Sequence, residues 1–343
     1  MQIVNLKLNF SFVFLFLSLL FVIFSCQNQS SNRIFIQILD KPAAEISICT
    51  DTIDNFFEYI SILEMAIQLK TDTLNLKIEP LVKYKTFLKS EAQNFSKKEA
   101  KCADQQLQKA LAYVLKINPN LALPDTIKLA KIAGKAYGAQ TFFTRQNTIF
   151  IPQTALLEGE ATTIYYTLIH EIFHLYSRYN QKNKKKLFAA IGFSNIEKIK
   201  LNKMLEKRIF YNPDAVNIAY SLQVQDQKGK KIKVVPIIFS RFSNYNSENS
   251  QFFQYLEFRL FEIKEENGNF YIAEEDTGQK PENMQGFFEQ VGRNTSYIIH
   301  PEEILADNFK LLALQKAAEK HNLVDITNQG QELLLKIEKI LLE

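Results

Sequence analysis

The sequence predicts an α+β fold: a helical core, a β-hairpin with an edge strand just before a long helix, and a β-rich insertion ahead of a later helix. Three observations carry this. Apolar residues recur at helical spacing over 51–119, the period shortens to that of strands over 127–151, and 216–272 alternates β-branched or aromatic runs with polar turns. The composition is that of an ordinary globular chain, 343 residues with 46% hydrophobic and 23% charged. That length supports one or two domains.

Residues 1–25 stand apart from the fold. Lys7 gives a short positive start, and the apolar run 12–24, broken only by Ser18, has the length of a secretion signal rather than of a membrane span. An uncleaved N-terminal anchor is the alternative. The run ends in Val22-Ile23-Phe24-Ser25-Cys26, followed by the polar stretch 27–32.

An apolar residue three before Cys, a small one just before it and a polar linker after it resemble a bacterial lipoprotein cleavage box, although Phe24 is bulky for its place. The resemblance implies that Cys26 is acylated and that the chain is exported and held on a bacterial membrane by this lipid. Residues 26–33 would be a linker and 34–343 the folded domain. No acid directly follows Cys26, which favours the outer membrane. Cys49 and Cys102 then remain; export permits a disulfide between them, and the sequence leaves open whether they meet. Losing the signal removes Lys7 and no acid, lowering the formal charge from +4 by one. So small an excess gives no reason to expect nucleic acid. The basic run 182–186 reads as a solvated helix start.

Within the domain, Ile60, Leu63, Ala66 and Ile67 share one helical face. Ser96 and Glu99 form a capping box that opens a helix reaching Val114, and Pro119 and Pro124 punctuate the loop after it. Residues 127–135 and 139–144 read as strands, 145–147 as a turn, and 148–151 as the returning strand. A long helix over 154–179 follows, with Leu157, Ala161, Tyr165 and Leu168 on its apolar face. Helices over 184–190 and 196–208 come next, stopped by Asn212-Pro213-Asp214. The β-rich insertion spans about 214–275, with strands expected at 231–239 and 252–263. The chain ends in helices over 301–321 and 330–342.

The long helix carries His170-Glu171-Ile172-Phe173-His174. Histidines four apart project from one helical face, so both imidazoles can bind one ion, and Glu171 beside them can reach a water on it. Residue frequencies alone give roughly 0.004 chance occurrences of this pattern. The chain has only 4 His.

A catalytic zinc site usually takes a third protein ligand. Ser177 and Asn180 stand where a metzincin would have Gly and His, which excludes that class. The later segment Tyr297-Ile298-Ile299-His300-Pro301-Glu302-Glu303-Ile304-Leu305-Ala306-Asp307 offers another source. Pro301 suits a first helical position, and Glu303 and Asp307 are four apart on one face.

On the residues from Ile169 to His174 and from Glu303 to Asp307, with the hairpin before the first helix, the chain resembles the gluzincin clan, thermolysin-like zinc metallopeptidases in the broad sense. The likeness covers these segments and not the whole chain, and the gap between His174 and Glu303 is long for the clan. It implies a zincin-like fold and one Zn2+ held by His170, His174 and Glu303. It also implies Asp307 on the free nitrogen of a ligand His, Glu171 as general base, and residues 139–144 lining the substrate cleft. Glu302 is a rival ligand, and acids in a first helical turn also suit the helix dipole.

The implied reaction is hydrolysis of peptide bonds in a peptide or protein substrate. His300 and Tyr297 are candidate donors to the developing oxyanion. His300 is equally a possible ligand or a helix-start residue, and Tyr211 and Tyr220 are further donor candidates. Arg178 reads as a structural ion-pair partner and His321 as a helix-end residue facing the dipole. Two other functions stay open: a non-catalytic surface lipoprotein braced by zinc that binds a partner, and a zinc amidase acting on a cell-wall component.

Overall fold

Five short strand segments that sequence periodicity missed, at 35–38, 92–93, 194–195, 199–200 and 209–210, add to the sheets. The computed structural model describes residues 34–73, 78–157, 159, 161–249, 251–318 and 326–343. The signal, Cys26, the linker and His321 therefore lie outside the described residues. Among those described, helices mix with three sheets, and no helix is long and apolar enough to cross a membrane.

The first sheet contains β1 (Phe35–Ile38), β2 (Ala92–Gln93), β3 (Thr126–Ile132), β4 (Phe143–Arg145) and β5 (Thr148–Pro152). Its order is β1-β3-β5-β4, with β2 on the free end of β3. β1, β3 and β5 run parallel, while β4 and β5 form the expected hairpin, pairing Phe143 with Phe150 and Arg145 with Thr148. Gln146 takes a positive φ of 55° in the turn.

β5 is buried along its whole length, so it reads as an unbroken apolar run. Its Ile149 and Ile151 face a helical core, and Phe150 faces the N-terminal helices on the other side, as the strand pleat requires. Those N-terminal helices include Lys41–Cys49, Ile62–Leu69 and Pro80–Glu91.

The helical core joins helices Lys97–Val114, Tyr165–Tyr179, Gln181–Ala190, Pro301–Lys316 and Asn328–Leu341. Both halves of the Ser96–Glu99 capping box are present. The motif helix starts later than its sequence suggests: residues 153–156 form one 3₁₀ turn, Gly159 takes φ +97°, and the α-helix begins at Tyr165. A glycine at positive φ interrupts the helical path that periodicity alone would continue.

β6 (Ser194–Asn195) precedes the stretch read as one helix over 196–208, which is instead β7 (Ile199–Lys200) and a short helix Lys203–Arg208. The insertion sheet follows the order β11-β10-β9-β6, with β8 (Ile209–Phe210) on β10. Its long strands are β9 (Tyr220–Gln225), β10 (Lys231–Ser240) and β11 (Leu256–Glu262). Residues 252–254 form a 3₁₀ turn rather than the start of β11. A small third sheet pairs β12 (Lys264–Glu266), β13 (Asn269–Tyr271) and β7. Cys49 and Cys102 are both free; their thiols face the carbonyls of Lys85 and Ala161.

Candidate metal centre

The motif helix is buried on almost every side. Leu168, Ile169, Ile172, Phe173 and Leu175 are 0% exposed, which anchors it in the core. His170, His174, Ser177 and Arg178 form a polar stripe at helical spacing. That stripe meets the start of the distal helix Pro301–Lys316, where Pro301 takes the first turn and His300 caps it. Two helices thus bring their polar groups together inside an apolar core, so each must find a partner there.

His170 Nε2 lies 3.0 Å from Glu303 Oε2 and His174 Nε2 lies 3.7 Å from the same oxygen. Ligands around a tetrahedral zinc at 2.0–2.1 Å would be about 3.3 Å apart. The observed separations bracket that value. His170, His174 and Glu303 therefore form a buried group that could hold a metal ion.

The outer nitrogens support this arrangement. His170 Nδ1 sits 3.0 Å from Asp307 Oδ1, and Asp307 also accepts from Thr295 Oγ1 at 2.5 Å and Lys310 Nζ at 2.6 Å. His174 Nδ1 sits 3.5 Å from Glu302 Oε1, whose other oxygen accepts from Ser177 Oγ at 2.9 Å and Lys184 Nζ at 3.0 Å. Each ring thus has its own carboxylate, which favours a proton on Nδ1 and a free lone pair on Nε2. Asn212 Nδ2 donates to Glu303 Oε1 at 2.6 Å and orients that carboxylate.

The electrostatics favour positive charge. Burial opposes the His170 imidazolium, but Asp307 and Glu303 outweigh it and lift its pKa to about 10. Burial likewise opposes His174, where Glu303 and Asp214 win and raise it to about 9. At Glu303 burial favours the acid, yet the two imidazoles hold the carboxyl low. Protons or a dication can satisfy such a pocket, and they compete for the same lone pairs.

Glu171 is 4% exposed and its Oε2 has no hydrogen-bond partner, while burial and the nearby Asp214 raise its pKa. A buried oxygen without a partner, beside a group that could hold a metal ion, is a polar atom for which the described residues supply no donor. Asp214, also buried, accepts from the Thr144 amide and hydroxyl, both at 2.6 Å. One donor atom each from Glu171, His174 and Asp214 lies within 4.8 Å of the others.

Arg178 fixes the surroundings. It ion-pairs with Asp54 and donates to Thr144 Oγ1 at 2.9 Å and to the Asp214 carbonyl at 3.4 Å. The hairpin edge is thereby used internally: the Thr144 amide is spent on Asp214 rather than offered to a substrate strand. Thr141 and Phe142, just ahead of β4, line the adjoining cleft instead.

The remaining candidates separate clearly. Both ring nitrogens of His300 are committed, Nδ1 accepting from the Glu302 amide and Nε2 donating to the Asn217 carbonyl; burial lowers its pKa to about 4. It therefore caps the helix and has no nitrogen left for a ligand or substrate. Tyr297 stays at the site mouth, 41% exposed, its ring 6.2 Å from that of His170. Tyr211 lines the cleft against Tyr59, whereas Tyr220 packs on Phe188 in the core. Lys184 departs from the expected solvated run, turning inward to Glu302.

Asn212, Asp214 and Thr144 carry no motif that marks them as site residues; Asn212-Pro213-Asp214 reads only as a helix stop. The clue is modest: two polar residues flanking a proline, later found buried. Comparison with family models, with curated proteins and with solved structures returned no match.

Proposed function

We propose that the chain is a zinc-dependent peptidase of the gluzincin type, with a zincin-like catalytic core, exported and held on a bacterial membrane by a lipid on Cys26. One observation carries the catalytic reading: His170, His174 and Glu303 converge while the neighbouring Glu171 keeps a buried oxygen without a partner. A brace for helices would need the three ligands and not the orphan carboxylate. Zinc held by these ligands would acidify a water and polarise the scissile carbonyl.

The chain's own groups supply the rest. Glu171 takes a proton from the attacking water and delivers it to the leaving amine. Its burial and the neighbouring Asp214 favour holding that proton between the two events. Tyr297, whose ring lies 6.2 Å from that of His170, would donate to the developing oxyanion. Asp307 and Glu302 hold the imidazoles, and Asn212 holds Glu303.

The test is a cleavage screen on mixed peptides with metal analysis alongside. Wild type should carry about one zinc per chain and cleave peptides. Glu171→Gln should keep the zinc and lose hydrolysis. Undiminished hydrolysis by the variant would sink the mechanism.

A further inference from the structure

The N-terminal helices reach the metal centre along a route that no sequence motif marks. Helix Ile62–Leu69 seats Leu63 and Ile67 against Phe210 and Ile238 of the insertion sheet. Glu64, on the same helix, is 0% exposed. Its Oε2 accepts from the Tyr211 amide at 3.3 Å, and its Oε1 accepts from Gln68 Nε2 at 3.2 Å. The Tyr84 hydroxyl donates to Gln68 Oε1 at 2.7 Å, so helix Pro80–Glu91 steadies the acceptor in turn.

Tyr211 lies one residue past Phe210, whose pairing with Ile238 joins β8 to β10. The pairing stops there, and Glu64 supplies the acceptor that the Tyr211 amide needs. The next residue, Asn212, touches the metal centre. Its Oδ1 accepts from the Asp214 amide at 2.9 Å, which points its Nδ2 at Glu303 Oε1, 2.6 Å away. Consecutive Cα atoms are held about 3.8 Å apart, so a shift of the Tyr211 amide carries Asn212 with it.

Glu64 takes its hydrogen bonds from Tyr211 and Gln68, while Arg145 acts on it through charge without a hydrogen bond. Burying a carboxyl in this way is costly, and an apolar side chain of similar size would ordinarily serve stability as well. What an apolar side chain lacks is the acceptor for Tyr211.

We propose that Glu64 is a positioning residue for the metal centre: by holding the Tyr211 amide it places Asn212, and through Asn212 it sets the Glu303 carboxylate for the ion. The inference rests on the metal reading proposed above. It extends the centre into the N-terminal helices, two contacts away from the ion.

The test uses the full chain with zinc, competed against a chromophoric chelator at pH 7. A parallel sample carries Co2+, whose visible absorption follows ligand geometry. Glu64→Leu removes the acceptor and should weaken zinc roughly 10-fold, the lower end for partners of ligand side chains; the Co2+ band should change with it. Glu64→Gln keeps an acceptor oxygen and should restore both. Should Glu64→Leu fail to fold, Glu64→Asp withdraws the acceptor by one methylene and carries the same expectation.

Asn212→Ala separates positioning from general support. On that background Glu64→Leu should cost little further zinc affinity, because the route is already cut. Wild-type affinity and an unaltered Co2+ band in the Leu and Asp variants overturn the proposal. So does a Glu64→Leu loss that adds in full to that of Asn212→Ala. Wild type that takes up neither ion removes the metal reading and this inference together. Wild type that binds zinc and cleaves no peptide removes the peptidase alone, and the affinities then still decide the role of Glu64.

Discussion

Replacing Glu302 by Gln tests whether it serves His174 or the metal directly. The carboxylate is 0% exposed and holds three groups at once: His174 Nδ1, Ser177 Oγ and Lys184 Nζ. Gln keeps the shape and one acceptor oxygen but removes the charge and places an amide N–H₂ against one of those donors. Partners that orient a ligand histidine are typically worth 10–100-fold in metal affinity, or about 1.4–2.7 kcal/mol. A direct ligand should matter far more, so Glu303→Gln is the reference.

Stability should fall as well, because the Lys184 ammonium loses its acid in a nearly buried position. Breaking such a pair costs about 3–5 kcal/mol when both partners are sealed from water. The Lys184 side chain retains 11% exposure, which puts the expected loss at or below the lower end. The assay is competitive zinc titration against a chromophoric chelator at pH 7, with thermal melting of the same samples. Affinity unchanged within a factor of two would remove Glu302 from the support of His174. A loss as large as that of Glu303→Gln would make it a ligand and overturn the assignment.

Two further perturbations probe the frame around the site. Burial lifts Glu64 to about 8 against the Tyr211 amide, Arg145 and Gln68, from a usual value of 4.5. The folded chain therefore holds this proton where the unfolded chain has released it, so the stability contribution is present below pH 4.5 and lost as pH rises towards 8. By pH 7 the loss is roughly 3 kcal/mol. Glu64→Gln should flatten the fall in denaturant midpoint between pH 5 and 8, and an unchanged slope would contradict the burial argument. At Gly330 an added Cβ would stand 1.9 Å from Asn294 Oδ1, so Asn294 must move and release Asn308 Oδ1 and the Gly330 carbonyl. Gly330→Ala should lower stability by about 1–3 kcal/mol in thermal melts, and an unaltered melting temperature would show that Asn294 gives way freely.

What the sequence reveals here follows the range of the forces involved. The spacing of His170 and His174 needs only local helix geometry, and the Glu303–Asp307 pair sits behind a proline start that local rules also set. The hairpin is legible from period and turn residues. The split of 196–208 is not, because β7 exists through pairing with β13, a strand well downstream. Asn202 adds to this by capping helix Lys203–Arg208 while its amide bridges to the carbonyls of Ala273 and Asp276. Asp214 and Asn212 escape notice for the same reason. Their burial is set by Thr144 and Glu303, one upstream in the hairpin and one downstream in the distal helix.

The distance along the chain between the imidazole pair and its carboxylate would also govern when the proposed zinc site can form. During synthesis the motif helix emerges well before Pro301–Lys316, and until that last segment docks two imidazoles face solvent without a third donor. On the zinc reading proposed above, high-affinity cation uptake would be an event of late folding, since the binding energy is only available once the distal helix is seated. A chain truncated before residue 303 would then lack the third donor whatever its metal supply, and acquisition of the ion would report completion of nearly the whole tertiary structure.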